Sequence, residues 1–244
     1  MSIRFYAELN DHLCQDQQYR TLEKPLITPT TAKDLIESFG VPHTEVDLIL
    51  VNGASAPFAQ AVHPGDRVAV YPMFESFDIT AEVRVRPEPL RESRFVLDVH
   101  LGKLAAYLRM LGFDTRYQSC FSDPQLARIS AGERRILLTR DRGLLKRSEV
   151  THGYWLRQTD SRRQIAEIVD RFDLARAIRP FTRCMACNGM LEDVAREQVR
   201  ERIPPLAAEL HDEFRECRQC GRVYWKGSHY RRMESWIEEL ALRC

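Results

Sequence analysis

Residues 94–118 read RFVLDVHLGKLAAYLRMLGFDTRYQ, and this stretch decides the fold class. Phe95, Val96 and Leu97 form a short apolar run of the kind that fills a buried strand, and Asp98 closes it. Leu101, Leu104, Ala105, Leu108 and Leu111 then fall on one face of a helix, and Gly112 stands where such a helix ends. Residues 114–118 suit a second strand. Outward along the chain the alternation continues. Asp123-Pro124 opens a helix, with the aspartate at its cap and the proline in its first turn. Residues 135–139 read as a buried strand that runs into Arg140-Asp141, and residues 150–156 as a further strand. Residues 164–172 carry Ile165, Ile168, Val169 and Phe172 on one helical face. Strands that alternate with helices predict a parallel α/β sheet with right-handed crossovers.

In such folds functional groups gather at the carboxyl ends of strands. Asp98 and Asp141 stand there, and Asp123 follows a strand by one loop. Three carboxylates brought together make a hard oxygen site for Mg2+ or Mn2+, ions that activate water for attack on a phosphodiester. Each aspartate also has a plainer explanation: Asp98 and Asp123 as helix caps, Asp141 as a turn residue. Basic residues surround the three. Lys103 shares the polar side of its helix with His100 and Tyr107, Arg109 follows on the same helix, and Arg140 and Arg142 flank Asp141. Lysine and arginine hold phosphates without reading base sequence.

The chain has seven cysteines, and four of them form two C-x2-C pairs: Cys184 with Cys187, and Cys217 with Cys220. Zinc takes four tetrahedral ligands and accepts thiolates readily. A full set of thiolates leaves no open position, so the expected ion is structural. A glycine follows each pair and suits the knuckle turn. Cys14, Cys120 and Cys244 are scattered and read as free thiols. After the knuckles, residues 229–243 form a last amphipathic helix with Met233, Trp236, Ile237 and Leu240 on one face. Trp225-Lys226 and His229-Tyr230-Arg231-Arg232 mix aromatic and basic groups, a composition that suits single-stranded RNA.

The N-terminal part differs in charge. Residues 1–82 hold 5 Lys/Arg and 12 Asp/Glu, and the rest of the chain holds 31 and 23, so a net −7 precedes a net +8. The later part is suited to a polyanion, and the first part is not. Residues 3–9 have strand content, and residues 31–39 carry Ala32, Leu35, Ile36 and Phe39 at helical spacing. Residues 48–51 lead into the Asn52-Gly53 turn, and Pro64-Gly65-Asp66 leads into a strand over 67–71. No apolar run reaches the roughly 18 residues a membrane span needs. The N-terminus lacks the basic-then-apolar pattern of a signal peptide, so a cytoplasmic location without membrane contact is expected.

LILVNG (48–53) and PGDRVAVYPMF (64–74) resemble the ubiquitin-like β-grasp sulphur-carrier proteins. Those carriers end in Gly-Gly. Here Phe74-Glu75-Ser76-Phe77 runs on instead, which removes carrier chemistry and leaves docking to a protein partner. FVLDVHLGKLAAYLRMLGFDT (95–115), RILLTRDRGLL (135–145) and the segment holding the cysteines resemble the Mut-seven C-terminal RNase domain family. That resemblance implies an α/β and α+β multidomain chain. The expected parts are a β-grasp domain over 1–80, a linker over 81–93 with Arg84, Arg86, Pro87, Pro89 and Arg91, a PIN-like nuclease with a parallel α/β sheet over 94–178, and a zinc ribbon with a terminal helix over 179–244. It also implies a metal-dependent endoribonuclease centred on Asp98, Asp123 and Asp141. Lys103, Arg109, Arg140 and Arg142 would meet RNA. Ser122 stands where the family tends to have an acidic residue, and Asp114 and Asp160 are candidates for a fourth carboxylate. Two other classes stay open: an RNA-binding adaptor without catalysis, and a partner-docking protein acting through the β-grasp domain.

Overall fold

The computed structural model of the chain describes residues 1–72 and 93–242. The expected departure from the carrier ending at 74–77, the linker residues 81–92 and Cys244 lie outside the described residues.

The N-terminal region is a mixed sheet with one helix. Its strands are β1 (Ser2–Phe5), β2 (Thr21–Glu23), β3 (Thr30–Thr31), β4 (Val46–Val51), β5 (Ala54–Ser55), β6 (Ala61–Val62) and β7 (Arg67–Pro72), and α1 is Ala32–Ser38. The main sheet runs β2-β1-β7-β4-β5, while β3 pairs with β6. The pairing of β1 with β7 is parallel and the other pairs are antiparallel. Thr31 caps α1 by accepting from Asp34 N at 3.1 Å. Asn52 and Gly53 both take positive φ in the turn after β4, which lets so short a turn follow the twist of its strands. Ile3, Phe5, Leu35, Ile36, Val46, Ile49, Val68 and Val70 fill the space between helix and sheet. This is the ubiquitin-like β-grasp arrangement.

The central region holds β8 (Phe95–Leu97), α2 (Gly102–Met110), β9 (Thr115–Arg116), α3 (Asp123–Glu133), β10 (Ile136–Thr139), α4 (Arg142–Leu145), β11 (Gly153–Trp155) and α5 (Ser161–Arg171). Strand β8 pairs with β9 and β10 with β11, and both pairs are parallel. All seven residues of β8 and β10 are buried, and all but Thr139 are apolar, as strands of a parallel α/β fold require.

The C-terminal region holds β12 (Leu191–Val194), α6 (Arg196–Val199), α7 (Pro205–Leu210), β13 (Phe214–Cys217), β14 (Val223–Trp225) and α8 (Ser228–Ala241). The three strands form an antiparallel sheet in the order β12-β13-β14. Among the described residues no helix is long and apolar enough to cross a membrane.

Contacts divide the described chain into two compact units. One joins the β-grasp region to Ser122–Trp155. The other joins Ser93–Phe121 to the chain from Leu156 onward. The second unit has a tight point at Gly112, which ends α2 at φ +96°. A Cβ there would lie 2.2 Å from Arg179 O and 2.9 Å from Thr182 Oγ1. Gly112→Ala is therefore expected to lower the melting temperature by about 5 °C, measured by thermal unfolding, because the clash adds to the cost of the left-handed backbone.

Candidate functional site

The four cysteines come together as their spacing predicts. All four sulphurs lie within 4.8 Å of one another, the one such group of three or more potential ligands among the described residues. Cys184 Sγ lies 3.6 Å from Cys220 Sγ, and Cys187 Sγ lies 3.4 Å from Cys217 Sγ. Sulphurs about 2.3 Å from a tetrahedral zinc stand about 3.8 Å apart, so the set fits that ion.

The two knuckles repeat one backbone pattern. Cys184 N donates to Gly189 O at 2.8 Å, and Cys217 N donates to Arg222 O at 2.9 Å. Asn188 N returns to Cys184 O at 2.9 Å, and Gly221 N to Cys217 O at 2.8 Å. Asn188 and Gly221 both take φ of 71°. The left-handed position of the first knuckle thus belongs to Asn188, not to the expected Gly189. Gly189 serves a different need, since a Cβ there would come within 2.8 Å of Cys217 Sγ. Gly189→Ala is expected to displace that ligand and speed zinc loss to a chelator, read by a colorimetric zinc indicator.

Burial opposes ionisation of Cys184. Hydrogen bonds from Tyr224 and from the Cys187 and Ala186 backbone outweigh it and bring the thiol down to about 7. Burial pushes Cys187 up to about 12. Tyr224, whose hydroxyl lies 3.0 Å from Cys184 Sγ, carries no local sequence signal for this role.

The ribbon is fastened to the strand–helix segment quoted first. Arg109 was expected at the RNA. It is instead 4 % exposed, and its guanidinium donates to Thr115 O at 3.0 Å, Met185 O at 3.1 Å and Ala186 O at 2.9 Å. Those carbonyls commit it to bracing the first knuckle. Asn188 adds two bonds, from its Nδ2 to Asp114 Oδ1 at 2.8 Å and from Thr115 N to its Oδ1 at 2.9 Å. Asp114, a candidate fourth carboxylate, is thereby tied to the ribbon, with Arg183 3.8 Å away. Asp160, the other candidate, caps α5 by accepting from Arg162 N and Arg163 N at 3.0 and 3.1 Å.

Of the three aspartates, only Asp141 takes the capping or turn position read from the sequence. Asp98 follows β8 and is half-buried, in the second unit. It does not cap α2, whose N-cap is Leu101 with no side-chain bond. Its Oδ1 accepts from Val99 N at 2.6 Å. Asp123 and Asp141 are exposed and belong to the first unit. Asp123 is not the cap of α3. Ser122 holds that position, with Gln125 Oε1 accepting from Ser122 N at 2.8 Å, and Asp123 occupies the first turn. Asp141 does cap α4, accepting from Gly143 N at 2.7 Å, while its own N–H donates to Thr139 Oγ1 at 2.9 Å. Lys103 and Arg140 are exposed. Arg142 donates from Nη1 to His12 O at 3.0 Å and lies over the Trp155 ring at 4.8 Å.

Fold and site together define a ubiquitin-like domain followed by a parallel α/β region and a four-cysteine centre. The family model of the Mut7-C RNAse domain matches residues 93–237, and that of the Mut7-C ubiquitin domain matches residues 1–78. The chain belongs to the Mut7-C RNAse domain family. That membership supports a nuclease-type function with RNA as the handled molecule. The four cysteines are suited to zinc, and a ubiquitin-like domain is suited to protein contact. No curated protein and no solved structure matches the chain.

Proposed function

We propose that the protein is a divalent-metal-dependent endoribonuclease acting on single-stranded RNA in the cytoplasm. The observation that carries this is the family match over residues 93–237, which spans Asp98, Asp123, Asp141 and all four ribbon cysteines. Two of those aspartates follow buried strands, the placement that suits catalytic carboxylates. Carboxylates such as these would hold Mg2+ or Mn2+, an ion that would supply an activated water and neutralise charge on the phosphodiester.

The chain's own groups do the rest. Asp98, Asp123 and Asp141 supply the oxygens, and Lys103 and Arg140 attract and orient the phosphate. Arg109 stays with the knuckle, and Arg142 is divided between His12, Trp155 and solvent. The zinc ribbon is structural and presents the RNA strand through Trp225, Lys226 and Tyr230.

The test is incubation of the purified protein with labelled single-stranded RNA, and separately DNA, in Mn2+ and in EDTA. Cutting of RNA that needs Mn2+ is expected. RNA binding without cutting of either polymer in any divalent metal would replace the enzyme with an adaptor.

A further inference from the structure

The first unit joins the ubiquitin-like domain to α3, β10, α4 and β11. One chain of its contacts leads to the turn that carries Asp141. Glu45 is 2 % exposed and His12 5 % exposed, and Glu45 Oε2 meets His12 Nε2 at 2.9 Å. The other oxygen, Oε1, accepts from Trp155 N at 2.6 Å. The Trp155 indole in turn donates from Nε1 to Arg140 O at 3.1 Å, and Arg140 is the residue before Asp141. Arg142, the residue after it, reaches back to His12 O and covers the Trp155 ring. The His12 ring lies 5.0 Å from that ring. Lys146 Nζ donates to Glu37 O at 2.9 Å at the far end of α4, and His43 Nε2 donates to Val150 O at 2.9 Å in the segment before β11.

A buried carboxylate–imidazole pair is a poor source of net stability, because desolvation offsets most of its attraction. Its use is specificity of geometry. Glu45 spends one oxygen on the pair and the other on the backbone of β11, so the strand that carries Trp155 is fixed against the β-grasp domain. A domain serving only to recruit a partner would need no such chain of bonds.

We infer that the ubiquitin-like domain is a built-in buttress of the nuclease, in which Glu45 is a positioning residue that sets the Arg140–Asp141–Arg142 turn through Trp155. The inference rests on the nuclease reading only in treating Asp141 as catalytic; the mechanical link stands without it.

The experiment uses the full chain in four forms: wild type, Glu45→Gln, Glu45→Ala and Trp155→Phe. Trp155→Phe keeps a six-membered aromatic ring at that position and removes the indole N–H together with the pyrrole part of the ring. Glu45→Gln keeps an acceptor for Trp155 N, and Glu45→Ala removes it. Hydrogen exchange by mass spectrometry over peptides spanning residues 138–147 is read in all four, beside RNA cleavage kinetics. Faster exchange confined to that segment is expected in Trp155→Phe and Glu45→Ala. With it should come a fall in kcat of about tenfold at unchanged KM, and Glu45→Gln should recover most of the rate. Exchange over 138–147 that matches wild type in both damaged variants would overturn the buttress. So would exchange that rises evenly over residues 1–72 and 122–155, which marks a merely structural role. If the wild type cuts no RNA, the nuclease reading fails, and exchange alone still decides the buttress.

Discussion

Asp98→Asn and Asp141→Asn are each expected to slow RNA cleavage about a thousandfold, equivalent to about 4 kcal/mol of transition-state stabilisation. The substitutions isolate charge from fold. Asp141 Oδ1 accepts the Gly143 amide at the start of α4, and asparagine is as good an N-cap as aspartate. Asp98 Oδ1 accepts the Val99 amide, and an asparagine oxygen accepts the same bond. Both variants should therefore melt within a degree or two of wild type. Asp141→Ala would lose the cap as well, at a cost of about 1 kcal/mol, and mix two effects. Asp123→Asn should follow the same pattern, since Ser122 and Gln125 cap α3 without the Asp123 carboxylate. Steady-state cleavage beside thermal melting separates the outcomes.

Loss of zinc has the next largest expected effect. The ribbon's own buried apolar cluster is small, built on Val199, Ile203, Ala208 and Phe214 with Val194, Val223 and Trp225 against it. So small a core cannot hold three short strands alone. Structural zinc in small fingers is worth about 10–16 kcal/mol of apparent folding free energy at neutral pH. Cys187→Ser or Cys217→Ser is expected to drop zinc from about one ion per chain to a small fraction, measured by atomic emission. Amide exchange over residues 183–227 should then approach that of an unfolded chain. Arg109 and Asn188 tie the first knuckle to α2 and Thr115, so protection should also fall around 109–115. Cys14→Ser and Cys120→Ser should leave zinc content unchanged, since both thiols are exposed and outside the cluster.

Much of this was legible in the residues. The apolar spacing of Leu104, Ala105 and Leu108 gave α2, and that of Ile165, Ile168 and Val169 gave α5. All of these residues are buried. The two C-x2-C pairs gave the metal centre, because sequence spacing alone brings two sulphurs of a knuckle together. Boundaries were less legible, for tertiary reasons. The strand expected over 114–118 shrinks to Thr115–Arg116, and the Thr115 amide is taken by Asn188, 73 residues away. The helix after Asp98 starts only at Gly102, and Tyr117 Oη donates to Val99 O at 2.8 Å across the intervening turn. Roles that depend on distant partners left no local mark. Arg109 reads as one more base on a basic domain until the Met185 and Ala186 carbonyls appear beside it. Glu45 sits in an ordinary acidic stretch, and nothing near it in sequence points to Trp155, 110 residues on.

The measurement that bears most directly on the nuclease is cleavage of one labelled single-stranded RNA by wild type and by the Asp98→Asn/Asp141→Asn double variant. Both would be assayed in Mn2+ and in EDTA, at equal zinc content. Mn2+-dependent cutting by the wild type alone is expected, with the double variant still binding the RNA. Cutting of equal rate by both proteins would place the chemistry elsewhere and contradict the assignment of these aspartates.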